Sequence, residues 1–365
     1  MLVKKQIRGL PAYAPGKPIA EVKREYGLDH VIKMASNENP YGASPKVAER
    51  IATIASETAI YPDGYGTELR EALATKHQVS EKQIILGNGS DEVIQFLCRG
   101  FLSADTNTVM ATPSFSQYKL NATIEAAEIV EIPVTNSGNH DLEAMLAAIN
   151  EQTRIVWVCN PNNPNGVALS REAFVHFLDR VPKECLVVSD EAYYEYVTMA
   201  DYPDSVSLLS AYPQLVVLRT FSKAYGLAGL RVGYGIASES VAQAIDPIRP
   251  PFNNNAIAHQ AALAALEDEG FIQLCKEKNE QERQRLRTYF EEEGFFVYPS
   301  ETNFLLVETS IPGNQLFQAF LEKGFILRSG EALGYPTGIR ISIGSKEEND
   351  AFLKVAPAIF NTWKT

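Results

Sequence analysis

Cysteine is scarce in this chain. Cys98, Cys159, Cys185 and Cys275 lie far apart, without the paired spacing of a disulfide framework or a zinc site. They read as reduced thiols of a cytoplasmic protein. His30, His77, His140, His176 and His259 sit on unrelated segments, so no metal is expected. Basic clusters are missing as well. The net charge is −12, with both signs scattered, which argues against nucleic acid or an acidic membrane as partner. A small anionic substrate stays open, because a local group of arginines outweighs a global sign. No apolar run is long enough to span a membrane. The opening MLVKKQIRGLPAYAPGKP lacks the apolar stretch of a signal peptide. Repeats and low-complexity segments are lacking too.

What the chain does have is 365 residues and 45% apolar composition. That is enough for one large or two modest domains with a sizeable core. Nearly continuous apolar runs recur at 83–86 (QIIL), 107–111 (NTVMA), 154–158 (RIVWV), 185–189 (CLVVS) and 215–219 (LVVLR). Strands buried on both faces read this way. Amphipathic stretches at 91–102, 141–149 and 171–181 alternate with them. The order predicts an α/β fold, with a mainly parallel sheet covered by helices on both faces.

Three prolines in DPIRPPFNN (246–254) break the alternation. A long charged helix over 256–293 is expected next, then a smaller α+β unit built from 303–308, a helix near 314–323, 325–329 and 338–344. The division is therefore an arm (1–35) packing on the small domain or a partner, a large domain (36–245) and a small domain (246–365).

Polar clusters follow the apolar runs. GNGSDE (87–92), TPSFSQY (112–118), NPNNPNG (160–166), DEAYYEY (190–196) and TFSKAYG (220–226) each sit just past a strand. Ligands of open α/β sheets bind beyond the carboxyl ends of the strands, so five such loops converge on one site. Each has a plainer reading. GNGSDE is either a phosphate-binding turn at a helix N-terminus or a simple cap at Ser90. Asp190, at the inner end of a core strand, is either a structural ion-pair partner or the counter-ion of a cationic ring nitrogen. Lys223 is either a surface lysine or an amine nucleophile of lowered pKa. In the second reading Thr220, Ser222 and Arg231 serve an anion beside it. The small residues Ala224, Gly226, Ala228 and Gly229 admit a flat ligand. In GIRISIG (338–344), alternation places Ile339, Ile341 and Ile343 on one face and Arg340 on the other, facing either solvent or a substrate.

Lysine, ring counter-ion, aromatic platform and phosphate cup together describe a pyridoxal 5'-phosphate site. TFSKAYGLAGLRVGY (220–234) resembles the cofactor-lysine signature of fold type I, class II aminotransferases. SNENPYG (36–42), YPDG (61–64), PNNPNG (161–166), DEAYYEY (190–196) and RISIG (340–344) match in the expected order. The resemblance covers essentially the whole chain. The arm PGKPIAEVKREYGLDHVIKMASNENPYG narrows it to the histidinol-phosphate aminotransferases of Gram-positive bacteria.

The resemblance implies roles. Lys223 carries the cofactor covalently and, once displaced, is the base for the proton shift. Asp190 keeps the pyridine nitrogen protonated. Tyr193 and Asn163 bond the ring's phenolate oxygen, and Phe115, where many relatives have tyrosine, stacks on the ring. The phosphate sits among Thr220, Ser222, Arg231 and the N–H groups of Ser90 and Asp91, with Tyr61 of the partner subunit reaching it in a homodimer. Arg340, helped by Arg328 and Tyr13, holds the anionic end of the substrate. Asn165 stands where threonine is usual, and the turn is expected to survive. The implied reaction exchanges an amino group between histidinol phosphate and 2-oxoglutarate, giving imidazole-acetol phosphate and glutamate. Two other readings remain at this level. One is an aromatic aminotransferase or amino-acid phosphate decarboxylase of the same fold. The other is a non-catalytic effector-binding domain, for which the chain has no added DNA-binding module.

Overall fold

A computed structural model describes residues 2–10 and 16–363. Tyr13 lies outside the described residues. The strands are β1 (Ile32–Lys33), β2 (Ile84–Gly87), β3 (Asn107–Thr112), β4 (Glu128–Pro133), β5 (Thr153–Cys159), β6 (Leu186–Asp190), β7 (Leu215–Thr220), β8 (Gly233–Ile236), β9 (Phe296–Val297), β10 (Phe304–Glu308), β11 (Phe325–Ile326), β12 (Arg328–Ser329) and β13 (Gly338–Ser342). The main sheet runs β2-β8-β7-β6-β5-β3-β4. Strands β7, β6, β5, β3 and β4 are parallel neighbours. Strand β8 is antiparallel to both of its neighbours.

Alternate side chains of the central strands enter separate cores. Val156, Val187 and Val217 pack on one face; Trp157, Val188 and Leu218 pack on the other. Both faces are thus apolar, which is why these segments read as unbroken hydrophobic runs. Strand β4 has no such run and escapes the sequence pattern. It lies at the sheet edge, with Glu128, Glu131 and Pro133 exposed, as suits an edge protected from further pairing. Strand β8, GYGI, is too glycine-rich to read as a strand from its sequence.

The expected helix over 256–293 is two helices, Ala256–Leu266 and Glu269–Glu292. Asp268 leaves the helical region (φ −121°, ψ 69°) and its carboxylate accepts from the Phe271 amide at 3.2 Å. It caps the second helix and so ends the continuity of the first. The first helix, AIAHQAALAAL, is rich in alanine and joins the core of the main sheet through Ala258, Ala261, Ala262, Ala264 and Ala265. The sequence boundary at 245/246 separates this helix from the core it enters.

A second sheet, β12-β13-β10-β9, covers a third core. That core holds Ile339, Ile341 and Ile343 together with Leu305, Phe320, Phe352 and Met34. Met34 brings in the arm, whose β1 pairs in parallel with β11.

Candidate active site

One cavity of about 450 Å³ opens at the carboxyl ends of β5, β6 and β7. Its wall includes Ser90, Asp91, Phe115, Asn163, Asp190, Tyr193, Thr220, Ser222, Lys223, Arg231, Arg328 and Arg340. These sequence candidates come from five strand ends of the main sheet and two strands of a second sheet and meet in one place. Tyr61 does not join them. It is 78% exposed and stacks on Phe252, with ring centroids 4.7 Å apart.

Register sets the floor of the cavity. Cys159, Asp190 and Leu218 are paired across β5, β6 and β7, so Asp190 ends the central strand. Its Oδ2 accepts from the Tyr118 hydroxyl at 2.6 Å. Its Oδ1 is buried and makes no hydrogen bond among the described residues. A buried carboxylate oxygen without a partner is costly. Burial pushes Asp190 up to about 6, against the opposing pull of the Tyr118 hydroxyl.

Lys223 follows β7, where the chain turns back toward β8. Its Nζ donates to the Ser36 carbonyl at 3.3 Å and lies 5.6 Å from the centre of the Tyr193 ring. Burial and then the Arg340 charge lower this amine to about 8. Both causes disfavour the ammonium form, so the structure brings the lysine into a setting that a surface lysine lacks. The Tyr193 hydroxyl receives Nδ2 of Asn37 at 3.0 Å and Nδ2 of Asn163 at 3.3 Å. Burial raises the Tyr193 pKa, so the phenol keeps its proton at neutral pH.

On the other side of the cavity, Ser90 opens the helix Ser90–Phe101, and Gly89 is the residue at its cap. The plain reading of Ser90 as a cap is therefore not what the structure has. The first-turn N–H groups are left for another partner. Gly89 has φ +70°, and a Cβ there would lie 2.8 Å from an Arg231 terminal nitrogen. Gly233 of β8 passes so close to the Ser90 amide that a Cβ would collide with it. Arg231 itself takes a left-handed conformation, φ 54°, at a cost of about 1 kcal/mol. This directs its guanidinium to the Ser222 hydroxyl at 3.2 Å and to Asp91 at 3.3 Å.

Arg340 is only 7% exposed. It faces the cavity while its isoleucine neighbours enter the third core. Its guanidinium donates to Asn163 Oδ1 at 2.6 Å and to the Ala35 carbonyl at 2.8 Å. Arg328 is directly opposite it in the β12–β13 register. Two cations held side by side in this way favour an anion between or beside them.

Several residues of the site escape the sequence reading. Tyr118 is one, 72 residues from Asp190 in the chain. Ala35, Ser36 and Asn37 are others. The motif SNENPYG marks their segment but gives no role to them. Asn37, in a left-handed conformation at φ 56°, exchanges hydrogen bonds with Ser342 and so ties the segment just after the arm to β13. Asn165 receives Nδ2 of Asn162 at 3.2 Å and donates to the Gly138 carbonyl at 2.8 Å and the Tyr335 hydroxyl at 3.1 Å. Its amide thus closes the turn and links it to two further segments.

The chain shares this architecture with known proteins. The aminotransferase class I and II model matches residues 29–355. A histidinol-phosphate aminotransferase of Shouchella clausii is 72% identical over 361 residues, covering 99% of this chain and 98% of the relative. That of Bacillus subtilis is 53% identical over 359 residues, covering 98% of this chain and 100% of the relative. The crystal structure of histidinol-phosphate aminotransferase from Sinorhizobium meliloti, in complex with pyridoxal-5'-phosphate, superimposes with a TM-score of 0.90 at 29% identity. It covers 99% of this chain and 98% of that one. With matches of this extent, and with the lysine and aspartate of the motif facing one cavity, the chain belongs to the class I and II aminotransferase family.

Proposed function

We propose that this chain exchanges an amino group between L-histidinol phosphate and 2-oxoglutarate in histidine biosynthesis, with pyridoxal 5'-phosphate as cofactor. The carrying observation is that Lys223, Asp190 with a buried and unpartnered Oδ1, and the arginines Arg328 and Arg340 all line one cavity. The full-length similarity to histidinol-phosphate aminotransferases supports the choice of substrate.

The residues fit the cofactor. The unpartnered Oδ1 of Asp190 suits a protonated ring nitrogen, and Phe115 offers an apolar face. The first-turn N–H groups of Ser90 and Asp91, with Thr220, Ser222 and Arg231, make a cup for a phosphate. Asn163 and the protonated Tyr193 are donors for a phenolate oxygen. When bound, the cofactor supplies an aldehyde that captures amines and a ring that spreads negative charge from the substrate carbon. Lys223, with its amine near neutrality, takes the proton from the substrate carbon that bears the nitrogen. Arg340 meets the anionic end of either substrate, because a planar guanidinium forks onto carboxylate or phosphate alike. Arg328 adds the second charge that a phosphate ester calls for.

The division of labour follows the two sheets. The main sheet and its loops supply the cofactor contacts, and the second sheet supplies the substrate arginines, Arg328 on β12 and Arg340 on β13. We assign Tyr61 to the phosphate cup of a second copy, so that the working unit is a homodimer. Its exposure and its place away from its own cavity agree with this. Mixing inactive Lys223→Ala and Tyr61→Ala chains is expected to restore activity; failure to restore it would remove the shared site. Among the described residues no helix is long and apolar enough to cross a membrane, and we assign the reaction to the cytoplasm. The test of function is product analysis. Histidinol phosphate and 2-oxoglutarate are expected to yield glutamate and imidazole-acetol phosphate. Turnover of phenylalanine or tyrosine without turnover of histidinol phosphate would refute the substrate assignment.

A further inference from the structure

Asp190 is held by a buried polar chain that no motif announces. Tyr118 lies on the helix Ser116–Ile124 and is fully buried. Its ring stacks on Trp157, with centroids 4.6 Å apart and planes 9° from parallel. The Trp157 indole N–H donates to the Thr108 hydroxyl at 2.9 Å, which in turn donates to the Ile155 carbonyl at 2.8 Å. Phe115, at the start of the same helix, meets the Tyr118 ring edge-on at 5.6 Å. Ring, indole and hydroxyl are therefore fixed by packing and by bonds to the strands β3 and β5. The Tyr118 hydroxyl donates to Asp190 Oδ2 at 2.6 Å.

We propose that Tyr118 is a positioning residue for Asp190: its hydroxyl fixes Oδ2, so that Oδ1 alone faces the cavity as an ionised acceptor for the cofactor's ring nitrogen. The inference rests on the reading of Asp190 given under Proposed function. The physics is direct. A phenol that donates to a carboxylate favours the charged form. Burial works the other way and already holds Asp190 high. Without the phenol, the carboxylate loses the one side-chain donor it has among the described residues and turns toward the neutral acid. A neutral acid pairs poorly with a ring N–H⁺. Removing the hydroxyl also frees the carboxylate to rotate, so the open oxygen is no longer held toward the cavity. The same helix carries Phe115 at its start, so one element sets both the ring-stacking residue and the aspartate.

The experiment uses the holoenzyme loaded with pyridoxal phosphate labelled with ¹⁵N in the ring. The ring-nitrogen chemical shift is followed from pH 6 to 9, and cofactor affinity is measured by equilibrium dialysis. Wild type is expected to keep the nitrogen protonated across the range. Tyr118→Phe keeps the packing and removes only the hydroxyl. It is expected to move the ¹⁵N signal toward the unprotonated value and to weaken cofactor binding by roughly ten-fold, the effect of one lost charge-assisted hydrogen bond. Replacement of Tyr118 by 3-fluorotyrosine keeps a donor and is expected to keep the wild-type signal. That variant also serves if the phenylalanine variant folds poorly. An unchanged ¹⁵N shift and affinity in Tyr118→Phe would overturn the inference while leaving Asp190 in its role. A wild-type ring nitrogen without its proton would instead overturn the role of Asp190, and this inference with it.

Discussion

Asp190 and Glu191 are neighbours in the chain and end in opposite surroundings. Both are buried, at 3% and 0% exposure. Glu191 is satisfied on both oxygens. Oε1 accepts from the Ser189 hydroxyl at 3.0 Å, and Oε2 accepts from Arg219 Nε at 2.9 Å and is ion-paired with Arg219 Nη2 at 2.6 Å. Arg219 in turn lies on the Tyr194 ring, 3.3 Å from its centre. Asp190 has one side-chain donor among the described residues, and its buried Oδ1 has no hydrogen-bond partner among them. Adjacent acids beside the same strand end thus serve two purposes. The one with both oxygens engaged is structural, and the one left incomplete lines the cavity. Burial alone does not separate them; the count of partners does.

The largest effect expected is at Lys223. Lys223→Ala is expected to abolish transamination, by several orders of magnitude, since no other amine faces the cavity among the described residues. Borohydride is then expected to fix no cofactor to the protein. Fixation on another lysine would break the assignment. Next comes the pair of acids. Arg219→Met leaves Glu191 charged and buried, at an expected cost of about 3–5 kcal/mol in urea unfolding. Asp190→Asn is expected to leave stability intact or raised and to lose activity instead. Equal stability losses in the two variants would erase the contrast between the acids.

How much of this was legible in the sequence follows from how each feature is encoded. The parallel strands were visible because burial on both faces leaves only apolar residues. The cavity was visible because strand ends and glycine-rich turns converge in an α/β sheet. Arg340 was visible through the alternation of GIRIS. Tyr118 was not, because its partner comes from tertiary packing across 72 residues. The split at Asp268 was hidden too, since alanine-rich and charged segments both favour helix and only the cap separates them. Edge strand β4 was hidden because an edge needs only half the apolar content of a central strand.

A milder test probes the side of the cavity formed by the second sheet, where Arg328 and Arg340 lie opposite each other. Arg340→Lys keeps the charge and loses the fork. It is expected to lower kcat/KM in both half-reactions, by about 1.5–3 kcal/mol or roughly ten- to a hundred-fold. Arg328→Ala is expected to harm histidinol phosphate more than glutamate, because the phosphate ester carries the extra charge. Separate half-reaction kinetics measure both. An Arg340→Lys enzyme of unchanged efficiency toward both substrates would remove the shared anion site.

The smallest effect expected is in the pH dependence of the cofactor-free protein. The folded-state pKa of Asp190 is raised, from 3.8 to about 6, by burial. Between those values the folded chain binds more protons at this site than the unfolded chain does. Stability from Asp190 is therefore greatest below pH 4 and is lost as pH rises through 6. Glu191 is also raised by burial, although Arg219 opposes the shift, so the acid limb of the whole protein is not Asp190 alone. The difference between wild type and Asp190→Asn isolates it. The asparagine cannot ionise, and its carbonyl can still accept from Tyr118. The variant is expected to gain about 1–2 kcal/mol relative to wild type as pH rises from 4 to 7, read from urea unfolding at each pH. A difference that stays flat across that window would mean that Asp190 is already paired in the cofactor-free protein. The contrast with Glu191 would then be one of degree.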